Sequence, residues 1–458
     1  MPAALRTRGA AAVALFALLA ACFTASAGLR ASRGAAITGD EPFYLLTTQS
    51  LLQDGDLDLR QQYDRFSYRA FFDHPEPLWR QSRPLPDGRL LSPHGVGLSV
   101  YLLPGFAVGG LAGAQAQMLL TTAICLAITF LLVARVTGRA RLAWGATLAV
   151  GLSATMFVYA TEIYPEAPAA LCLVAALLLL QGGAPGASRL LALVALVSAL
   201  AWLGPKYVPP GMVLALFALW RADVRGRAVF VGASAVSGAA YVAWHLWVYG
   251  ALTPYSVNLI YFDQPTVQVA QAHLGFLERA YRPVALLVDR EFGVARWAPV
   301  LLPAAAAIPL LPRRGSLGVA VVALIVVQVL MATFVAITMR GWWFPGRTLV
   351  AVLPLLAWPL AECAALVGRR GLVALGGLAV LGGLVTAQLA VAASTGEVRV
   401  AVDPFALDAP AFRALAPLFP DYRAWTPHTI ATHLAWTAAL LAGAALLLRA
   451  DARRGHRG

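Results

Sequence analysis

Long apolar runs, separated by short polar connections, recur along the whole chain. A helix that crosses a bilayer needs about 20 mostly apolar residues. The pattern predicts twelve membrane spans, at residues 9–27, 115–134, 142–160, 167–181, 190–204, 208–220, 228–248, 298–311, 317–338, 348–367, 372–393 and 430–448. We therefore expect an all-α, polytopic transmembrane protein that forms a single domain over residues 1–458.

The first apolar run has two interpretations. Arg6 and Arg8 precede it and Ala25-Ser26-Ala27 follows it, a pattern typical of a cleaved signal peptide as well as of an uncleaved membrane anchor. We expect an anchor, and cleavage would leave the later topology unchanged.

A further apolar stretch, residues 95–112, decides the orientation of every later span. If it does not cross the membrane, all the short arginine-rich connections fall on one side. The positive-inside rule makes that side cytoplasmic and places both termini inside. Pro104, Gly109 and Gly110 also suit a helix at the membrane interface better than a plain span. We expect 95–112 to be a non-spanning juxtamembrane helix on the outer side.

With this orientation the long connections lie outside the cytoplasm. They are residues 28–114, 249–297 and 395–429, whereas the cytoplasmic connections are only a few residues long. Functional residues concentrate in such loops, so we expect the chemistry on the outer face. We expect no soluble domain after the last span.

Composition supports a membrane protein and removes other classes. Hydrophobic residues make up 60% of the chain and charged residues 12%, with a mean hydropathy of +0.71, whereas soluble domains carry about 25% charged residues. The net charge of +13 comes from the arginine-rich cytoplasmic connections and therefore does not indicate nucleic-acid binding. The cysteines lie in apolar runs without metal-ligand spacing, so we expect no zinc site or disulfide framework.

Three outer segments contain acidic or lysine residues beside the membrane. Asp40-Glu41 begins the segment that continues to Tyr44, and this pair could supply a general base or the acidic N-terminus of a helix. Glu162 and Glu166 lie at span ends, where carboxylates are either functional or simply hydrated. Lys206, the only lysine, could bind a phosphate or extend its amine to the interface.

Three further segments contain basic or mixed charges. His94, in Ser92-Pro93-His94-Gly95, precedes the juxtamembrane stretch and could meet an anionic headgroup. Arg340 and Arg347 flank an aromatic turn, and Arg347 could hold a lipid phosphate through two hydrogen bonds. Asp289-Arg290-Glu291 could form a local ion pair on a solvated face.

Together these segments resemble the GT-C superfamily of integral-membrane glycosyltransferases. Within it the chain is similar to the bacterial protein-mannosyltransferase and aminoarabinose-transferase type, which uses a lipid-carrier donor. The resemblance rests on Asp40-Glu41 with Tyr44, Ser92-Pro93-His94-Gly95, Glu162 with Glu166, Asp289-Arg290-Glu291-Phe292-Gly293 and Pro345-Gly346-Arg347. The chain departs from many relatives in having Pro93-His94 where they have a lysine or a Pro-Pro pair. We also expect it to lack the soluble C-terminal domain that some relatives use for acceptor recognition.

The resemblance implies an inverting transfer of a hexose or pentose from a polyprenyl-phosphate donor to an acceptor hydroxyl, in a bacterial inner membrane. Asp40 would be the general base, with Glu41 beside it as a second catalytic residue. We expect the donor phosphate to meet Arg347, Lys206, Arg340 and His94. The residues expected to contact substrate are Tyr44, Glu162, Glu166, Asp289, Arg290 and Glu291. The sequence gives no support for a cofactor or a divalent metal, and the sugar and acceptor stay open.

Two other functions remain open at this stage. A lipid or solute transporter, or flippase, would carry ionisable groups in the middle of its spans. Here Glu362 lies near a cytoplasmic span end and His245 near an outer one, which counts against proton-coupled transport. A non-catalytic scaffold would leave the outer-face acids unexplained.

Overall fold

The computed structural model describes residues 3–455 apart from 262–263, 265–266, 269–270 and 272–273, so part of the predicted outer segment 249–297 lies outside the described residues. The described part is helical, with one isolated β-bridge between Ser82 and Asn258. Its α-helices are α1 (Ala3–Phe23), α2 (Glu41–Gln53), α3 (Arg60–Asp64), α4 (Val96–Thr137), α5 (Ala140–Gly151), α6 (Ala154–Tyr159), α7 (Glu166–Leu179), α8 (Ala187–Leu203), α9 (Val208–Arg221), α10 (Val224–Tyr249), α11 (Arg282–Val288), α12 (Val294–Trp297), α13 (Leu301–Ala307), α14 (Ser316–Leu330), α15 (Ala357–Leu366), α16 (Arg369–Ser394), α17 (Pro410–Leu415) and α18 (Pro427–Gly455).

The all-α prediction is confirmed, and each of the twelve predicted spans overlaps one or more helical segments. Six helical segments among the described residues are long and apolar enough to cross a membrane: Thr7–Ser26, Val96–Thr137, Val224–Val257, Ser316–Val335, Arg369–Ser394 and Pro427–Arg454. The shorter apolar helices are Glu166–Leu179, Ala187–Leu203 and Leu353–Leu366. The number of crossings and the orientation stay predictions.

A sharp reversal divides α4 into two parts. Gly110 has φ 55° and ψ −134°, a backbone conformation that residues with a side chain rarely adopt. The reversal folds residues 96–108 back onto 111–137, where Gln117 accepts a hydrogen bond from the Gly105 amide at 2.9 Å and donates one to the Tyr101 carbonyl at 2.5 Å. The juxtamembrane stretch is therefore one arm of a helical hairpin.

Helix α4 is the centre of the helix packing. It contacts α1, α2, α5 and α7. The buried apolar side chains of these helices form one continuous core. Because α2 and α7 both pack against α4, the turns that precede these two helices lie next to each other.

The predicted span 142–160 is broken into α5 and α6 at Leu152–Ser153. The break lets α6 support a distant turn, since Thr155 donates a hydrogen bond to the Pro345 carbonyl at 3.1 Å and Tyr159 donates one to the Phe344 carbonyl at 2.9 Å. Both side chains are fully buried. This interruption therefore fixes the segment that leads into Arg347.

Candidate active site

Asp40 lies immediately before α2, at the position of an N-cap. Its side chain makes no capping hydrogen bond to the helix, although the sequence allowed such a role. It instead accepts a hydrogen bond from Arg347, with 2.6 Å between Oδ2 and Nη2. The Asp40 side chain keeps 28% of its surface exposed, so an incoming hydroxyl group can reach it.

Arg347 joins three segments that are far apart in the chain. It follows Gly346, whose φ of 86° and close approach to Thr155 exclude a larger residue there. Besides Asp40, its guanidinium donates from Nε to Glu166 Oε1 at 3.0 Å. The guanidinium carbon also lies 3.9 Å from the centre of the Tyr164 ring, a cation–π contact that holds the plane of the group.

Glu166 begins α7 and is shared by two cations. Its Oε1 atom accepts hydrogen bonds from Arg347 and from Lys206 Nζ, the latter at 2.6 Å. Glu166 is buried, whereas the Lys206 side chain is 37% exposed. Lys206 lies on a 3₁₀ turn, Pro205–Tyr207, which connects α8 and α9. The Glu166 carboxylate therefore holds two positive groups side by side, and Lys206 is the more exposed of the two.

The charges around Asp40 determine its ionisation. Burial alone would raise the pKa of its carboxyl group. The charge and the hydrogen bond of Arg347, together with smaller contributions from His94 and Lys206, outweigh that effect and hold the pKa of Asp40 well below its usual range. Asp40 is therefore an ionised carboxylate throughout the neutral pH range.

His94 lies beside the same carboxylate. Its Nε2 atom is 4.0 Å from Asp40 Oδ1 and 2.6 Å from Gln81 Oε1. Burial lowers the pKa of His94, more than the nearby Asp40 charge raises it, so the imidazole is neutral at pH 7. Its ring also contacts Tyr44, with 5.0 Å between the ring centres.

Glu41, predicted as a second catalytic residue, is buried beside Asp40 and makes its contacts with backbone amides. It is 2% exposed, and its two oxygens accept hydrogen bonds from the Thr38 amide at 3.0 Å and the Ile163 amide at 2.9 Å. Burial raises the pKa of Glu41 to about 7, although these two hydrogen bonds oppose the shift. Its contacts hold the Asp40 segment against the acidic turn at 162–166.

Glu162 lies in that acidic turn and is buried without a partner. Both of its side-chain oxygens lack a hydrogen-bond partner among the described residues. Burial raises the pKa of Glu162 well above its usual value, the negative charge of Glu41 adds to the rise, and Arg347 opposes it. A carboxyl group in such a place keeps its proton at a pH where an exposed glutamate is ionised.

We expect this carboxyl group to make stability decline with rising pH. The unfolded chain loses the Glu162 proton near pH 4.3 while the folded chain retains it, so unfolding becomes easier as pH rises from that value to the folded pKa. The Glu162→Gln variant should decline less in melting temperature between pH 5 and 8. The matched control is Glu76→Gln, because the Glu76 side chain is exposed. Equal slopes of melting temperature against pH in the parent protein, Glu162→Gln and Glu76→Gln would contradict the expectation.

Four other predicted residues form a separate cluster. Asp289 pairs with Arg340 at 3.0 Å, and Glu291 pairs with Arg423 at 2.6 Å. Arg290 donates to the Ala416 carbonyl at 3.1 Å and lies 3.7 Å from an Asp421 oxygen. These contacts join the segments around 289, 340 and 421. The structure therefore brings Arg340 to Asp289 rather than to Arg347, the other arginine predicted to bind phosphate.

Gln81 and Tyr164 belong to the site but were not assigned a role from the sequence. Gln81 lies in the irregular part of the first outer segment, where no periodicity marks a position as special. Tyr164 lies between the two predicted acids of its turn, and an aromatic residue near a membrane is expected for anchoring alone. Its contact with Arg347 is visible only in three dimensions.

An apolar cavity of about 780 Å³ adjoins the site. Its wall includes Val96, Pro168 and Leu203, each two or three residues along the chain from His94, Glu166 or Lys206. Trp202 and Trp244 form another part of the wall. An amphiphile with an anionic head and an apolar chain fits this combination, because cations stand next to an apolar groove. Within the described residues no group of three His, Cys, Asp or Glu side chains could hold a metal ion.

Comparison with known proteins gives the fold. No protein-family model and no curated protein matches the chain. The crystal structure of ArnT from Cupriavidus metallidurans in the apo state superimposes with a TM-score of 0.51 at 15% identity, over 94% of this chain and 76% of ArnT. The structure of that protein bound to undecaprenyl phosphate gives 0.48, at the same identity and coverage. This chain therefore has an ArnT-like fold.

Proposed function

We propose that the chain is a membrane glycosyltransferase that moves a sugar from a polyprenyl-phosphate carrier to an acceptor hydroxyl. One arrangement of side chains carries the proposal. Asp40 is an accessible, ionised carboxylate that accepts a hydrogen bond from Arg347. Lys206 is held next to Arg347 by Glu166, and an apolar cavity adjoins this group. The GT-C-like fold and the sequence resemblance support the same class of enzyme.

The proposed reaction is a single displacement. Asp40 accepts the proton of the acceptor hydroxyl as its oxygen attacks the anomeric carbon. The bond from that carbon to the phosphate oxygen breaks, and the carrier phosphate leaves with the electron pair. Attack opposite the leaving group inverts the configuration. A phosphate is already a good leaving group, so the site needs positive charge and no strong general acid.

Arg347 and Lys206 supply that charge in this proposal. Both cations are fixed by Glu166 before any ligand arrives, so they lose little freedom when charge develops on the leaving phosphate. The carrier phosphate also competes with Asp40 for Arg347. Drawing Arg347 toward the phosphate raises the pKa of Asp40 and makes it a stronger base when both substrates are present. The carrier chain would occupy the apolar cavity.

The remaining residues take supporting roles in the proposal. Neutral His94 donates its Nε2 proton to Gln81 and, with Tyr44 packed against its ring, forms the side of the site next to Asp40. Glu41 and Glu162 lie behind Asp40 and act through its position rather than on the substrate. We assign the enzyme to a bacterial inner membrane, with this site on the extracytoplasmic face.

Transfer can be tested with the purified full-length protein in liposomes. Polyprenyl phosphates carrying different radiolabelled sugars are supplied one at a time, together with a membrane extract as the source of acceptor. We expect one donor to lose its label to a glycosylated product and to release free polyprenyl phosphate. Movement of intact labelled lipid between leaflets, without product, would instead identify a flippase and contradict the proposal.

A further inference from the structure

A charged cavity lies apart from the proposed active site, and none of the active-site residues described above lines it. It measures about 710 Å³ and adjoins the end of α4 at Thr137 and the end of α15 at Leu366. Four arginines and two carboxylates line the cavity: Arg139, Arg313, Arg314, Arg454, Glu362 and Asp451.

Two of the arginines account for both carboxylates. Arg314 donates to Glu362 at 3.0 Å and to Asp451 at 2.5 Å, and Arg313 lies 3.3 Å from Asp451. Glu362 is buried. This network ties α18 to α15 and to the 3₁₀ segment that ends at Arg314. The negative charge on the cavity wall is therefore fully engaged inside the protein.

The other two arginines leave an excess of positive charge. The guanidinium of Arg139 makes no hydrogen bond or ion pair with the described residues, and it is exposed. Arg454 donates only to the carbonyl groups of Ala365 and Leu366, which end α15. Neither cation has a carboxylate partner in the described part of the chain. The cavity thus offers two uncompensated charges to an anion.

The wall also has an apolar side. Val136 and Leu366 line the cavity beside the arginines, and both belong to helices with long apolar runs. We propose that this cavity binds the headgroup of an anionic phospholipid, with the phosphate between Arg139 and Arg454 and the first methylene groups against Val136 and Leu366. Basic pockets between membrane helices suit such headgroups. This site is separate from the glycosyltransferase site and does not depend on it.

The test uses the full-length protein in neutral detergent, titrated with phosphatidylglycerol and, separately, with phosphatidylcholine, and observed by native mass spectrometry. We expect saturable binding of phosphatidylglycerol only. Arg139→Ala should weaken it about five-fold, the ratio that corresponds to ~1 kcal/mol for one arginine, and Arg139→Lys should retain most of it. Arg141→Ala, an equal loss of charge two residues away and outside the cavity wall, should bind like the parent protein.

Other results would overturn the proposal. Equal binding of both lipids, or equal losses in Arg139→Ala and Arg141→Ala, would show that general charge is responsible and not this cavity. Displacement of phosphatidylglycerol by an equal concentration of inorganic phosphate would show a site for free phosphate instead of lipid. Melting temperatures without added lipid check folding. We expect them to be unchanged because the Arg139 side chain makes no hydrogen bond or ion pair with the described residues.

Discussion

Replacing Asp40 by asparagine should abolish sugar transfer while leaving the fold intact. Asparagine keeps the shape of the side chain and an oxygen that can accept the Arg347 hydrogen bond, but it cannot accept the acceptor's proton. Loss of a general base costs about 10²–10⁴-fold in rate. The measurement is the initial rate of label transfer in liposomes, together with the melting temperature in detergent.

Asp87→Asn is the matched control for this variant. Asp87 is an exposed carboxylate in the same long segment before α4, and its one ion pair among the described residues is with Arg89, at 2.7 Å. We therefore expect parental activity. Near-normal turnover in Asp40→Asn would remove Asp40 from the catalytic role. A comparable loss in both variants would point to a general effect of charge in this segment.

Arg347→Gln should lose both activity and stability. Removing an electrostatic donor costs about 10²–10³-fold in rate. Removing one partner of a buried ion pair costs about 3–5 kcal/mol, and we expect the lower end because Lys206 still balances Glu166. The transfer rate and the melting temperature report the two losses separately.

A double variant distinguishes the two effects of Arg347. Arg347→Gln with Glu166→Gln leaves no unpaired buried carboxylate at this position, so we expect the melting temperature to recover in part while transfer stays low. Arg340→Gln is the control from the separate cluster around Asp289. Full recovery of transfer in the double variant, or an equal rate loss in Arg340→Gln, would assign the phosphate elsewhere.

The residual activity of Arg347→Gln should also change its pH dependence. In the parent protein the Arg347 charge lowers the pKa of Asp40, so activity should be lost only as pH falls well into the acidic range. Without that charge the pKa of Asp40 rises, and the acidic limb of the rate profile moves to higher pH. An acidic limb that stays at the same pH, or moves to lower pH, would contradict the proposed effect of Arg347 on the pKa of Asp40.

The sequence was informative about helices because the apolar runs are long and are separated by short polar connections. It also identified Asp40, Glu166, Lys206 and Arg347 as individual candidates. It could not pair them, since the pairing depends on how α2 and α7 rest on α4 and on how α6 holds the turn before Arg347. Each of those contacts joins segments that are far apart in the chain.

Arg340 and Glu41 illustrate what adjacency in sequence leaves undecided. Arg340 lies seven residues before Arg347, yet it contacts Asp289. Glu41 is next to Asp40, but the first turn of α2 directs it inward to the amides of Thr38 and Ile163. The direction of a side chain at a helix start depends on a rotation of about 100° per residue, and no pattern of acids and bases reveals it.

The pair formed by Asp40 and Arg347 has a consequence for biosynthesis, because 307 positions separate its members in the chain. A ribosome delivers Asp40 long before Arg347. Until Arg347 emerges, Asp40 lacks the guanidinium that it contacts, and Glu166 has one of its two counter-charges, Lys206. The proposed site is therefore assembled late in synthesis, and a chain that stops before Arg347 lacks the charge that we propose for the leaving phosphate.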